Sequence, residues 1–388
     1  MRVLVLSASI GMGHVRAGDA IEKEVRKIAQ SVRHEDVLNF ANAPFRNFYR
    51  KAYFDLVAHA PELLGFAYEY SDKEWKNLHY GRAFERLNIQ KLIGMVEEFQ
   101  PDVVISTHSL PADMISWLLC KKKIICKNIV VLTDFDVHPV WLCHHHSLYC
   151  VPLEETKEHL VALGLERQRV IVTGIPIDPV FAQMKDKRQM RIKHDLEPDR
   201  RSILISAGGL GMGPIEELLC ELMKLSGQNQ IITVCGSNSE LKAAAEAFAE
   251  KVSRTDGNLI KVVGHTDVMD EYMSASDIIL GKPGGLTSSE ALAKGLVFVI
   301  VSPVPGQEER NADHLLEEGV AIRCNNLPVL AYKIEQLFDN SQRLQTMSLN
   351  ALTLAKPNAA EQIAAQAISL IREDGIHSTF PRNHLCEG

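Results

Sequence analysis

Short apolar runs alternate with longer segments whose apolar residues recur three and four positions apart, and this grammar is written twice. In the first half Val3-Leu4-Val5-Leu6 reads as a buried parallel strand. Ser9 to His14 then reads as a loop, and Ala17 to Ile28 as a helix. In the second half Ser202 to Ser206 is the strand and Gly208 to Gly213 the loop. Pro214 fits the first position of a helix from Ile215 to Leu225. Further strands are predicted over 103–106, 128–132 and 148–151, and then over 231–235, 260–263, 277–280 and 298–301. Strands alternating with helices in both halves predict an α/β protein of two doubly wound parallel-sheet domains. Turn formers from Thr173 to Pro179 mark the seam. The expected domains are 1–178 and 179–365, with a helix end and frayed tail over 366–388.

Between Pro44 and Arg86 the alternation stops. Aromatic residues such as Phe48, Tyr49, Phe54 and Trp75 are interleaved with Arg46, Arg50, Lys51 and Lys73. This helical insertion, 44–86, reads either as a packed pair with an aromatic core or as an amphipathic element for a membrane surface.

The whole chain sets further bounds. Its 388 residues favour two cores over one. Apolar content of 46% and charged content of 23% suit a globular protein, and no apolar run approaches the ~18–20 residues of a membrane span. The N-terminus reads as a strand, not a signal peptide. Eight irregularly spaced cysteines read as reduced cytoplasmic thiols. A net charge of −7 argues against nucleic acid as a partner. The first half is near neutral and holds most of the histidines, so it approaches an anionic surface more easily than the acidic second half.

The chemistry gathers in loops. Lys282-Pro283-Gly284-Gly285-Leu286-Thr287 opens a helix that carries Glu290, and Gln307, Glu308 and Asn311 follow the next strand. Glycines admit a ligand close to the backbone, and the free N–H groups of a helix start attract an anion. Both loops fall at the carboxyl edge of an open sheet, where ligands bind. A phosphate-bearing ligand with hydroxyls to be held by carboxylates and amides fits, and a nucleotide sugar is one.

The loop with Gly11 and Gly13 has Arg16 where a dinucleotide fingerprint needs glycine, and neither loop ends as a P-loop does. His14 at a helix mouth is either a general base or a cap. Gly208 and Gly209 begin either a phosphate loop or a tight turn; Glu216 and Glu217 compete for the same helix start. Asp134 and Asp136 could hold a metal, but the pattern is commoner as turn chemistry. Cys143 to His146 with Cys150 could suggest zinc, though adjacent histidines cannot converge on one ion and a solvated loop is expected. Lys121 to Lys123 read as a solvated face.

These residues together resemble the glycosyltransferases that make glycosyldiacylglycerols: bacterial diacylglycerol glucosyltransferases and monogalactosyldiacylglycerol synthases of glycosyltransferase family 28. The similarity is carried by Gly11-x-Gly13-His14, Thr133-Asp134-Phe135 with His138 and Trp141, Thr173 to Ile177, and the long block from Lys282 through Pro305-Gly306-Gln307 to Asn311. It implies a GT-B fold, with two Rossmann-like domains facing a cleft. A lipid acceptor is expected on the N-terminal domain and UDP-glucose or UDP-galactose on the C-terminal one.

By the same resemblance Gly264, His265 and Thr266 read the uracil edge, and Glu290 takes the ribose hydroxyls. Gly284 to Thr287 hold the diphosphate, and Gln307 and Glu308 face the sugar. His14 is the expected base, with Asp134 its rival. The implied reaction is inverting transfer of a hexose to a diacylglycerol-type lipid at the cytoplasmic face of an anionic membrane, with no tightly bound metal or cofactor. The alternatives are an N-acetylglucosaminyl transfer to another lipid and a UDP-sugar 2-epimerase. The chain departs from the pattern at Val297, where the family usually places proline.

Overall fold

Runs of aliphatic residues with both faces buried become the inner strands of two parallel sheets, as strands covered by helices on either side require. The computed structural model describes residues 1–40, 89–209, 211, 214–252 and 257–374. The aromatic and basic insertion 44–86 lies outside them, as does Gly213. The first sheet comprises β1 (Arg2–Ser7), β2 (Ser31–Asp36), β3 (Val103–Ser106), β4 (Lys127–Val131), β5 (Leu148–Val151) and β6 (Val170–Val172). Its order is β2-β1-β3-β4-β5-β6, every pair parallel.

The second comprises β7 (Arg201–Ser206), β8 (Asn229–Val234), β9 (Leu259–Val263), β10 (Ile278–Gly281), β11 (Val297–Val301) and β12 (Ala321–Cys324). Its order is β12-β11-β10-β7-β8-β9, again all parallel. Strand order reverses between β1 and β3 in one sheet and between β7 and β10 in the other. At such a switch point the loops on either side diverge and leave a crevice at the carboxyl edge.

The chain divides into two compact units, Met1–Asp178 with the segment from Asn358 onward, and Pro179–Pro357. The second unit therefore ends short of the expected residue 365. The helix Ala359–Asp374 belongs to the first unit because Ile363, Ala364 and Ala367 are buried with Val3, Val5, Ile21 and Val25. Ile363→Ala should lower the stability of the first unit by about 2–5 kcal/mol, the cost of a cavity among aliphatic neighbours. Denaturant unfolding checks this, with the midpoint falling at unchanged slope.

Two helix boundaries also differ from expectation. The first helix is Met12–Val25, so His14 stands within its first turn and not in a loop before it. Pro214 precedes the helix Ile215–Leu222 as its cap, and that helix ends a turn early.

In the second unit, ion pairs to a largely buried carboxylate tie the segment before β7 to the helix Met269–Ala275. Lys193 Nζ and His194 Nε2 each lie 2.8 Å from the Glu271 carboxylate, and Lys185 Nζ lies 3.2 Å away. Lys193 above all, with His194 and Lys185, holds the Glu271 carboxyl at about 2, against an ordinary 4.5. A carboxyl so depressed stabilises the fold fully above the unfolded value and loses that contribution as pH falls towards 2. Glu271→Gln should therefore cost stability near neutrality and flatten the loss of thermal midpoint between about pH 4.5 and 2. A pH series of melts on both proteins measures it.

Candidate active site

In the first unit, register aligns Leu6 with Ser106 and Ser106 with Val130, so the loops after β1, β3 and β4 emerge side by side. The loop after β1 is short: Gly11 caps the helix without a side-chain bond, and His14 is the third helical residue. A Cβ added at Gly11 or Gly13 would meet nothing within 4 Å, so the ground before His14 is open.

His14 is held from two neighbouring strand ends. Its Nδ1 lies 3.1 Å from the Thr107 carbonyl oxygen and 2.9 Å from Thr133 Oγ1. The Thr107 hydroxyl donates to the His14 carbonyl at 2.8 Å, which ties the first helical turn to the end of β3. A carbonyl can only accept, so the bond to Thr107 puts the proton of the neutral ring on Nδ1 and the lone pair on Nε2. Burial lowers the pKa of His14, opposed by the charge of Asp134 and by the bond to Thr107. The imidazole is thus kept in its basic, uncharged form near neutrality.

Aromatic rings wall this point. His108 meets His14 edge to face, centroids 4.5 Å apart, and Trp141 lies 6.4 Å from His14 and 6.1 Å from His108. His108 caps the helix Ser109–Cys120 through Nδ1, which accepts from the Leu110 N–H at 3.0 Å. Burial, and then His14 beside it, push its pKa well down, so it stays neutral. His138 caps the short turn Pro139–Trp141 in the same way, accepting from the Val140 N–H at 3.2 Å. That turn sets Trp141 into the wall, 6% exposed.

The two aspartates of the Asp-x-Asp motif separate. Asp134 is buried and its charge acts on His14. Asp136 accepts from its neighbour's N–H (Val137, 2.8 Å) and lies 3.6 Å from His159, which is turn chemistry. Cys143 and Cys150 are buried thiols, each pushed up to about 12 by burial, and His146 bonds the Cys143 carbonyl at 3.0 Å.

In the second unit the loops after β7, β10 and β11 share the carboxyl edge, since β10 lies between β7 and β11. Gly281 ends β10 where a Cβ would stand 2.8 Å from the Ser206 carbonyl, so only glycine lets the two strands approach. Lys282, Pro283 and Gly284 follow, and the helix Gly285–Ala293 begins with no side-chain cap. The first N–H groups, of Gly285, Leu286 and Thr287, form the positive end of a helix. Lys282 has no carboxylate partner among the described residues. Glu290, in the second turn, is 2% exposed.

The loop after β11 turns sharply at Ser302, whose φ of 45° is uncommon outside glycine and marks local strain. The helix Gln307–Glu317 then begins. One oxygen of Glu308 accepts from the Val304 N–H at 2.7 Å and so braces its own loop. Asn311 is fully buried. Gly264, His265 and Thr266 follow the edge strand β9; His265 is exposed, and Thr266 Oγ1 accepts from the Val268 N–H at 3.2 Å.

The glycine loop after β7 is braced by the loop after β8. The Gly209 carbonyl accepts from Ser237 N at 3.2 Å and Oγ at 3.1 Å, and the Gly211 carbonyl from Asn238 Nδ2 at 3.0 Å. Gly208 and Gly211 take left-handed φ values of 71° and 67°. These bonds make the loop a tight turn with its carbonyls already engaged. Gly208 and Gly209 thus lie in a different unit from Gly11, Gly13, His138 and Trp141.

The first unit gathers His14, Asp134, His138 and Trp141 at one strand edge, and adds Thr107, Thr133 and His108. Thr107-His108-Ser109, between a strand and an apolar helix, carries the pattern of a helix cap, a signal that marks His108 and its neighbour but not Thr133.

Comparison with known proteins agrees with this division. Residues 14–177 match the family described as monogalactosyldiacylglycerol (MGDG) synthase, and residues 203–363 match the glycosyltransferase family 28 C-terminal domain. The processive diacylglycerol beta-glucosyltransferase of Bacillus subtilis (strain 168) is 29% identical over 363 residues, 93% of each chain. The protein of the same name from Staphylococcus aureus (strain Newman) is 28% identical over 387 residues, 98% of this chain and 95% of that one. Among solved structures, Acinetobacter baumannii MurG superposes with a TM-score of 0.61 at 15% identity, covering 95% of this chain and 99% of that one. The UDP-GlcNAc 2-epimerase from Neisseria meningitidis, bound to UDP-GlcNAc, gives 0.59 at 14% identity over 95% of this chain and all of that one. The architecture is GT-B, two Rossmann-like domains in one chain.

Proposed function

We propose, for a chain that belongs to the glycosyltransferases forming glycosyldiacylglycerols, that it moves a hexose from a UDP-sugar to the free hydroxyl of a diacylglycerol-type lipid. The observation that carries the mechanism is His14, a half-buried imidazole whose pKa is lowered and whose Nδ1 is engaged by the Thr107 carbonyl and the Thr133 hydroxyl. Glucose is the favoured hexose, because the relatives in Bacillus and Staphylococcus are named as glucosyltransferases; galactose is the second choice.

In this mechanism the lipid hydroxyl gives its proton to His14 as its oxygen attacks the anomeric carbon from the face opposite the leaving group. The product is inverted, and charge builds as on an oxocarbenium ion. The departing diphosphate gains negative charge, which the N–H groups of Gly285, Leu286 and Thr287 receive, assisted by Lys282. Glu290 takes the ribose hydroxyls, the 264–266 loop reads the base, and Gln307, Glu308 and Asn311 hold the sugar. No resident metal or cofactor enters this scheme.

Peripheral attachment to the cytoplasmic face of an anionic membrane belongs to the same proposal; no described helix is long and apolar enough to cross one. Incubation with UDP-glucose, UDP-galactose or UDP-GlcNAc, with and without diacylglycerol, tests it. UDP and a glycosyldiacylglycerol should appear only when lipid is present. Turnover of UDP-GlcNAc to its epimer without lipid would sink the transferase reading in favour of the epimerase.

A further inference from the structure

We infer that Thr133 is the positioning residue for His14: the Thr107 carbonyl sets the ring proton on Nδ1, the Thr133 hydroxyl gives that proton a second acceptor and holds the ring in place, and Nε2 is the atom that takes the acceptor's proton. The inference rests on the transferase reading for its kinetic consequence, but not for its structural content.

The geometry leaves one consistent arrangement. With the proton on Nδ1, both the carbonyl at 3.1 Å and the hydroxyl at 2.9 Å accept from it. With the proton on Nε2, a ring lone pair would face the carbonyl oxygen at 3.1 Å with nothing between them. The carbonyl therefore selects the tautomer, and the hydroxyl, which could donate or accept, follows it by accepting. Thr133 is buried, 4% exposed, two residues beyond the end of β4, so its hydroxyl is not free to turn to water. A threonine pair thus does here what a carboxylate does in a hydrolase triad: it orients the imidazole and favours its charged form.

The proton balance is direct. The lipid O–H bond breaks and an N–H bond forms at Nε2. The oxygen electron pair becomes the new glycosidic bond while the anomeric carbon–phosphate oxygen bond breaks and UDP leaves. His14 is then an imidazolium whose Nδ1–H still has two acceptors, and a charged donor makes the stronger bond. The titratable groups bearing on His14 are Asp134, whose charge favours the protonated ring, and His108, which stays neutral. Removing the Thr133 acceptor should make that imidazolium harder to form.

The test is nitrogen NMR of the His14 ring in the whole protein, with kinetics of Thr133→Val and Thr133→Ser. The wild-type ring should show a protonated Nδ1 and a bare Nε2. Thr133→Val should lower kcat roughly tenfold or more, leave the KM for UDP-sugar unchanged, and move the acid limb of the rate profile to lower pH. Thr133→Ser should restore both rate and limb. A wild-type ring protonated on Nε2 overturns the inference, as does a valine variant with wild-type rate and profile, or a serine variant as slow as the valine one. If the valine variant fails to fold, the wild-type spectrum and the serine variant decide. An Nδ1–H signal in a protein whose His14→Ala variant stays fully active would leave the tautomer standing and overturn the catalytic reading.

Discussion

His14→Ala should lower glycosyl transfer by about 10²–10⁴-fold, the usual contribution of a positioned base, while UDP binding stays unchanged. The two effects separate because His14 belongs to the first unit and every residue proposed for the nucleotide belongs to the second. The pH dependence follows from the same ring. The neutral imidazole is the working form, and burial sets its pKa below the ordinary 6.5. Wild-type activity should therefore hold through the range where an ordinary histidine titrates and fall only at lower pH, as the ring takes a proton from solvent. In the alanine variant that acid limb should vanish from what activity is left. Steady-state rates over a pH series, with calorimetric titration of UDP, measure both. A variant keeping more than about a tenth of wild-type turnover would exclude His14 as the base and make Asp134 the next residue to change.

Glu290→Ala should weaken UDP binding by about 1.5–3 kcal/mol, a rise in Kd of roughly 10- to 150-fold, with a smaller effect on the rate at saturating donor. The carboxylate sits in the second turn of a helix whose free N–H groups favour an anion, and a charged acceptor there would hold the hydroxyls of a bound ribose. Calorimetry with UDP alone isolates this from chemistry. An unchanged Kd would remove Glu290 from the nucleotide site.

Much of the architecture was legible because both sheets are parallel and covered, so their inner strands are uninterrupted aliphatic runs. β2, β6 and β12 were not seen, and each is an edge strand. Ser31–Asp36 has no fully buried residue, Val170–Val172 buries only Val170, and Ala321–Cys324 buries only its ends. Such strands expose enough surface that no buried run marks them; β9, also at an edge, was seen because Ile260, Val262 and Val263 still make an apolar cluster. The start of the first helix was placed late for a related reason. Gly11 and Gly13 signal a loop locally, yet Gly13 lies inside the helix.

At the site, the glycine block from Lys282 and the histidine after Gly13 were visible because unusual residue types stood in a short span. Thr107 and Thr133 were not visible as partners of His14. They are common residues 93 and 119 positions away, and their role exists only once β1, β3 and β4 lie side by side. Glu308 shows the converse. Its carboxylate drew attention as a sugar ligand, and one of its oxygens is engaged in bracing its own loop.

The return of the helix Ala359–Asp374 to the first unit means that this unit is encoded in two pieces, with the whole second unit spliced between them. During synthesis Pro179–Pro357 can close its core as soon as it emerges, whereas the unit begun first must wait. Val3, Val5 and Ile21 keep a bare aliphatic face until Ile363 and Ala367 arrive. Domains usually fold as units in the order of synthesis; here the first unit lacks its last core helix until the second unit has been made.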